Sequence, residues 1–174
     1  MKTEFLLQEQ VNLILAALTP VNRLVMRTML HTGLRVGDVL ELRPEQIKPR
    51  FWITEQKTGK RRFVGLTEEL RRDLLANAGK YYVFPHRTDP KKHHTRQAVW
   101  KDLKRAAAAF RLPQNVGTHS ARKCYAVDLL WKYGDIEKVR RALNHSRTEV
   151  TMLYALADAQ FAAKYRRPKR RKGG

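Results

Sequence analysis

This chain of 174 residues is short of cysteine, of acid and of long apolar runs, and each shortage closes off a class of protein. The single cysteine, Cys124, cannot form an internal disulfide and gives no C-x-x-C pair for metal or redox chemistry. Its helical position reads as a small core residue. No stretch approaches the roughly 18 apolar residues of a membrane span. The opening "MKTEFLLQEQ" is too acidic and polar for a signal peptide. The expectation is a soluble cytoplasmic protein. Acids number 16 against 36 Lys and Arg, a formal net charge of +20. The C-terminal "KYRRPKRRKGG" holds seven of the positives, well under half of the surplus, so the excess is spread over the body. Nucleic acid is the favoured partner of such a surface, through phosphate neutralisation and counterion release; a membrane surface or another polyanion stays open on charge alone.

What remains is enough for one domain. Hydrophobic residues make up 43% of the chain, and a chain this long buries roughly 70% of its unfolded surface. "TEFLLQEQVNLILAAL" predicts a helix with Val11, Leu15 and Leu18 on one face. "PVNRLVMRTMLHTG" predicts a second, with Leu24, Met26, Met29 and Leu30 partly buried and Gly33 as its C-cap. "RVGDVLELRPEQI" predicts a short third helix ending before Pro44. The runs Phe51–Glu55 and Arg61–Leu66 predict a β-hairpin with Gly59 in the turn. "TEELRRDLLANAG" and "TRQAVWKDLKRAAAAFRL" predict further helices, with a loop holding at most one short strand between them. "GTHSARKCYAVDLLWKYG" predicts another, capped by Thr118 or Ser120. The fold class is mainly α with a small antiparallel β-sheet (α+β).

The start of that last helix is chemically odd. His119 and Arg122 share one face of its first turn, where the helix macrodipole disfavours cations unless an anion is present. Three other segments carry groups of matching character. Arg35 lies in "HTGLRVGDVLELR" between two helices, Lys57 lies at the hairpin tip, and "LNHSRTEVTMLYALAD" supplies His145 and Tyr154. Singly, each has a plain alternative. Tyr154 falls with Val150, Leu153 and Ala157 at core spacing, Arg35 suits a solvated helix start, and Lys57 stands among Lys60, Arg61 and Arg62. Tyr81, Tyr82, Tyr125 and Tyr133 read as packing residues and His31 as a helix-end packing residue. His86, His93 and His94 lack cysteine partners and ligand spacing, so no metal site is expected.

In order, Arg, Lys, His-x-x-Arg, His and Tyr resemble the tyrosine recombinase (phage integrase-type) family, from about Gln8 to Asp158. The resemblance implies a catalytic-domain fold that cleaves and rejoins DNA through a 3′-phosphotyrosine, without metal, ATP or other cofactor. It implies Arg35 and Arg122 as phosphate clamps, Lys57 as general acid, His119 as base, His145 as a phosphoryl hydrogen-bond donor and Tyr154 as nucleophile. Asp38 matches an acidic position that supports the active-site arginine. Lys60, Arg61, Arg96, Lys101, Lys104 and Arg105 are the expected DNA-backbone contacts. Asn144 replaces the family's usual Gly before the second histidine, and Ser120-Ala121 fill the H-x-x-R interior; neither removes a reacting group.

The expected division is a catalytic domain over 1–163 and a basic tail over 164–174, with no separate N-terminal core-binding domain, a departure from most members of the family. Partners implied are a double-stranded DNA recombination site, three further copies of the chain on DNA (monomer or weak oligomer when free) and accessory DNA-bending proteins, with nucleoid association and no membrane. Two alternatives stay open at this stage: a type IB topoisomerase-like nicking-closing enzyme, and a non-catalytic DNA-binding regulator.

Overall fold

Pro20 opens α2 (Pro20–Thr32) at a position where its missing N–H costs no helical hydrogen bond. Gly33 ends the helix in the left-handed region (φ 65°), its N–H donating to Met29 O at 2.8 Å. Around α2 the computed structural model, which describes residues 4–143, builds the first of two compact units. That unit runs to Tyr125 and contains α1 (Gln8–Ala17), α2, α3 (Val36–Leu40), a 3-10 turn at Pro44–Gln46, β1 (Arg50–Thr54), β2 (Arg61–Gly65), α4 (Glu68–Asn77), α5 (Arg96–Ala109) and the first part of α6 (Thr118–Tyr133). α2 packs against α1, α3, α4 and α5 and buries Leu24, Val25, Met26 and Met29. Cys124 lies in the core, as expected, near Leu6 O.

The sheet is a two-stranded antiparallel hairpin in which Trp52 faces Phe63 and Ile53 faces Arg62. Alternation puts Phe51, Ile53 and Val64 inward and leaves Trp52 and Phe63 exposed, their rings 5.2 Å apart. Thr67 and Thr95 cap α4 and α5 by accepting from Leu70 N and Ala98 N.

Several boundaries differ from expectation, for local reasons. α1 begins at Gln8, not Thr3. Residues 4–7 stay extended because Glu4 and Asn115 exchange two hydrogen bonds, Glu4 N to Asn115 O and Asn115 N to Glu4 Oε1. Its buried face is Val11 and Ile14, with Leu15 only partly covered. Glu55 leaves β1 to open the turn, and Pro44 starts a 3-10 turn. Neither Thr118 nor Ser120 precedes α6; Gly117 does, and its N–H donates to Ser120 Oγ (3.3 Å). His31 and Tyr133 are exposed instead of packed, the latter with Lys132 and Lys138 over its ring.

One buried acid ties α5 to the start of α2. Asp102 of α5 accepts from Asn22 Nδ2 (2.8 Å), Thr19 N (3.0 Å), Thr19 Oγ1 (2.8 Å) and Arg105 Nη2 (2.6 Å). His94 closes the set, its Nε2 lying 2.8 Å from Asn22 Oδ1. Desolvation pushes the Asp102 pKa up, but the donors outweigh it and hold the carboxyl at about 2 against its ordinary 3.8. A depressed folded-state pKa stabilises fully above pH 3.8, and that gain is lost as pH falls through about 2. Asp102→Asn is therefore expected to lower stability at pH 7 by about 2 kcal/mol. Urea unfolding checks this, and an unchanged midpoint would refute it.

The second unit starts at Ala126. Its described part holds the rest of α6 and α7 (Ile136–Leu143), with Val127, Leu130, Val139 and Leu143 buried. Asp135 caps α7 by accepting from Glu137 N and Lys138 N. No described helix is long and apolar enough to cross a membrane.

Candidate active site

The end of α2 dictates what surrounds it. Left-handed Gly33 turns the chain out of the helix, Leu34 is buried, and Arg35 follows in extended backbone just before α3. The last carbonyls of α2 have no intrahelical partner and carry the negative end of its dipole. Two guanidiniums take them. Arg122 Nη1 donates to Gly33 O at 2.6 Å; Arg62 Nη1 donates to the same oxygen at 3.2 Å, and its Nη2 donates to Thr32 O. Cations this close together need a counter-anion, and Glu55 supplies it. Its carboxylate is fully buried, 2.8 Å from Arg35 Nη1, 3.8 Å from Arg62 Nη1 and 4.0 Å from Arg122 Nη1. Desolvation works to raise the Glu55 pKa, yet hydrogen bonds from Arg35 and Thr58 and the charges of Arg35 and Arg122 hold it below the ordinary value. Glu55 is ionised at neutral pH.

Beside this cluster lies an open cleft of about 340 Å³. Arg35, Asp38, Gln56, Lys57, Arg96, Thr118, His119 and Arg122 line it. Lys57 is exposed on the hairpin turn. His119 is the second residue of α6, and its pKa lies below the ordinary 6.5. Desolvation is the largest cause, followed by the charges of Arg122, Arg35, Lys57 and Lys123. Its imidazole is thus neutral near pH 7 and able to accept a proton. Guanidiniums, an ammonium and the start of α6 converge on a space suited to a tetrahedral anion.

Of the residues expected from the sequence, Arg35, Lys57, His119, Arg122 and Asp38 all meet at this cleft. His145 and Tyr154 lie outside the described residues. Asp38 is not the acid that pairs with Arg35. Its Oδ1 accepts from Gln56 N at 3.0 Å and so anchors the hairpin turn. Arg96 lines the cleft and donates to Gln56 Oε1 at 3.0 Å. Lys60, Arg61 and Lys101 are exposed, Arg61 lying over the Trp52 ring. Lys104 donates to Asn115 Oδ1, and Arg105 is committed to Asp102 and Ala17 O. His94 is tied to Asn22; among the described residues no cluster of His, Cys, Asp or Glu is placed to hold a metal.

Sequence reasoning missed Glu55 and Arg62. The strand parity carries both: 51, 53 and 55 alternate inward on one side of the hairpin, 62 and 64 on the other. A charge at an inward position implies a buried partner of opposite sign.

The fold and the cleft together define a helical domain that gathers arginine, lysine and histidine around one open cleft. The phage integrase family model matches residues 4–160, and the chain belongs to that family. It is 32% identical over 165 residues to the integrase of Escherichia phage P2, covering 94% of this chain and 45% of that one. It is 31% identical over 132 residues to the probable integrase/recombinase YoeC of Bacillus subtilis (strain 168), covering 72% and 71%. The chain spans about half the length of most of the curated relatives it matches. In fold it is similar to the catalytic domain of bacteriophage HP1 integrase (TM-score 0.67, 23% identity, 95% of this chain and 96% of that one). It is also similar to a lambda integrase dimer bound to a COC′ core site (TM-score 0.70, 21% identity, 88% and 59%).

Proposed function

We propose that this protein is a site-specific DNA recombinase that cleaves and rejoins DNA through a 3′-phosphotyrosine, with no metal or ATP in the step. The observation that carries the reading is the meeting of Arg35, Lys57, His119 and Arg122 at one cleft. The family match, which extends past Tyr154, supports it. The scissile phosphate enters beside Arg35 and Arg122, whose guanidiniums neutralise the charge that builds on the non-bridging oxygens. His119 takes the phenolic proton of Tyr154 as its oxygen bonds to phosphorus. The P–O5′ bond breaks, and Lys57 passes a proton to the leaving oxygen, giving a 5′-hydroxyl. His145 donates to a phosphoryl oxygen. Attack by the 5′-hydroxyl of another strand reverses the sequence, so bond energy is conserved without a nucleotide cofactor. Recombination needs two sites in register, which four copies of the chain provide, bending proteins assisting.

The test is trapping. In chelator, a nicked suicide duplex carrying the site should give an SDS-resistant adduct, and peptide mapping should place the DNA on Tyr154. No adduct, or one on a different tyrosine, overturns the reading. Relaxation of supercoils without crossing over between two sites would identify a nicking-closing enzyme instead.

The histidine also sets a pH dependence. Because the folded-state pKa of His119 is depressed, its neutral form persists below the ordinary 6.5 and is lost only as pH falls further. At subsaturating protein, where the rate reports the free enzyme, the acid limb of cleavage should lie below pH 6.5. A limb at or above that value would show that another group titrates.

A further inference from the structure

Glu55 is fully buried although it opens the turn that carries exposed Lys57. Its N–H donates to Lys60 O at 3.0 Å, and Gly59 N donates to its carbonyl at 2.8 Å, so Glu55 closes that turn through its backbone. Its side chain reaches in two directions at once. Oε2 accepts from Arg35 Nη1 at 2.8 Å and from Thr58 Oγ1, the residue after Lys57, at 2.9 Å. A carboxylate withdrawn from water is costly unless charge and hydrogen bonds compensate. Here the compensation adds a direct side-chain tie between Arg35 and the turn, beside the hydrogen bond from Gln56 N to Asp38.

We propose that Glu55 is a positioning residue for strand cleavage: by holding Arg35 and Thr58 on one oxygen, it sets the Lys57 turn in register with the phosphate clamp. The inference rests on the reading of Lys57 as general acid. A lysine on a four-carbon stem loses much of its effective concentration when its backbone wanders. With the turn fixed to Arg35, the proton on Nζ meets O5′ while the arginine holds the same phosphate. As the P–O5′ bond breaks, that proton passes to oxygen, leaving a 5′-hydroxyl and a neutral amine.

A sulfur substitution isolates this role. In a suicide duplex whose bridging 5′-oxygen is replaced by sulfur, the leaving thiolate departs without a proton, because a thiol is far more acidic than an alcohol. Glu55→Gln keeps the shape and removes the charge. Single-turnover cleavage of the oxygen duplex is expected to slow about 10²-fold, the low end of acid–base contributions, and to recover within about fivefold of wild type on sulfur. The duplex Kd should stay within about threefold, since one buried anion makes no phosphate contact. Thr58→Val, at an exposed position on the turn, is expected to fold and to show the same pattern at about 10-fold. It decides the matter if Glu55→Gln fails to fold by thermal melt. Either variant slowed equally on both duplexes, or either cleaving the oxygen duplex at the wild-type rate, overturns the inference. Lys57→Ala separates the two readings. If sulfur does not rescue it, the lysine's assignment falls; if sulfur rescues it but not Glu55→Gln or Thr58→Val, only the present inference falls.

Discussion

Arg122→Ala is expected to reduce single-turnover strand cleavage about 10³-fold while leaving duplex binding nearly intact. Removing one donor from a preorganised anion site costs about 10²–10³ in rate, and a desolvated guanidinium stands at the upper end. Only 7% of the Arg122 side chain is exposed, and Gly33 O at 2.6 Å fixes its plane, so little reorganisation accompanies the reaction. Ground-state binding is spread over many surface cations and loses one contact at most. Arg122→Lys is expected to recover no more than about tenfold, because an ammonium keeps the charge and loses the fork. Quenched-flow adduct formation beside filter binding measures both quantities. A rate loss under about tenfold for Arg122→Ala would remove the arginine from the phosphate clamp.

Gly33→Ala is expected to destabilise the protein by about 2–5 kcal/mol and to lower cleavage with it. Two costs add. An L-residue in the left-handed region pays roughly 1–2 kcal/mol. The new Cβ would also lie 2.2 Å from Tyr125 Cδ1, so the ring must move, at an overpacking cost of roughly 1–3 kcal/mol. Tyr125 in turn lies under Arg62, which shares the Gly33 carbonyl with Arg122, so the displacement reaches the site. Gly59→Ala is the control. Gly59 has the same φ of 65° with open space around it, and only the backbone cost of about 1–2 kcal/mol should appear. Urea midpoints for the two variants measure the difference, and equal losses would show that the Tyr125 contact is soft.

These variants probe what composition and periodicity do not state. The helices are legible because their ends carry strong local chemistry: Pro20 and Gly33 around α2, Thr67 and Thr95 before α4 and α5. α1 is less so, since Glu4 pairs with a loop more than a hundred residues away and no local pattern announces it. Arg35, Lys57, His119 and Arg122 are legible as a set through their order and spacing. Their mutual support is not, because it runs through Glu55, a carboxylate that resembles any polar residue at a strand end until its inward parity is counted. Asp38 shows the converse. Its importance is visible, but its partner is the amide of Gln56 and not the arginine three residues before it.

The arginines of the first unit are also construction material. Arg23 donates to the carbonyls of Leu15, Ala16 and Leu18, closing the end of α1, and Arg105 reaches Ala17 O beside them. Arg62 and Arg122 close the end of α2, and Arg27 ties α2 to Glu69 and Asp73 of α4. A surplus of +20 is thus no inventory of contacts on offer to a polyanion. The slope of affinity against salt will count only the cations left over after the helices have been sealed. Neutralising Arg23, Arg27, Arg62 or Arg105 to loosen that grip will cost helix closure before it costs affinity.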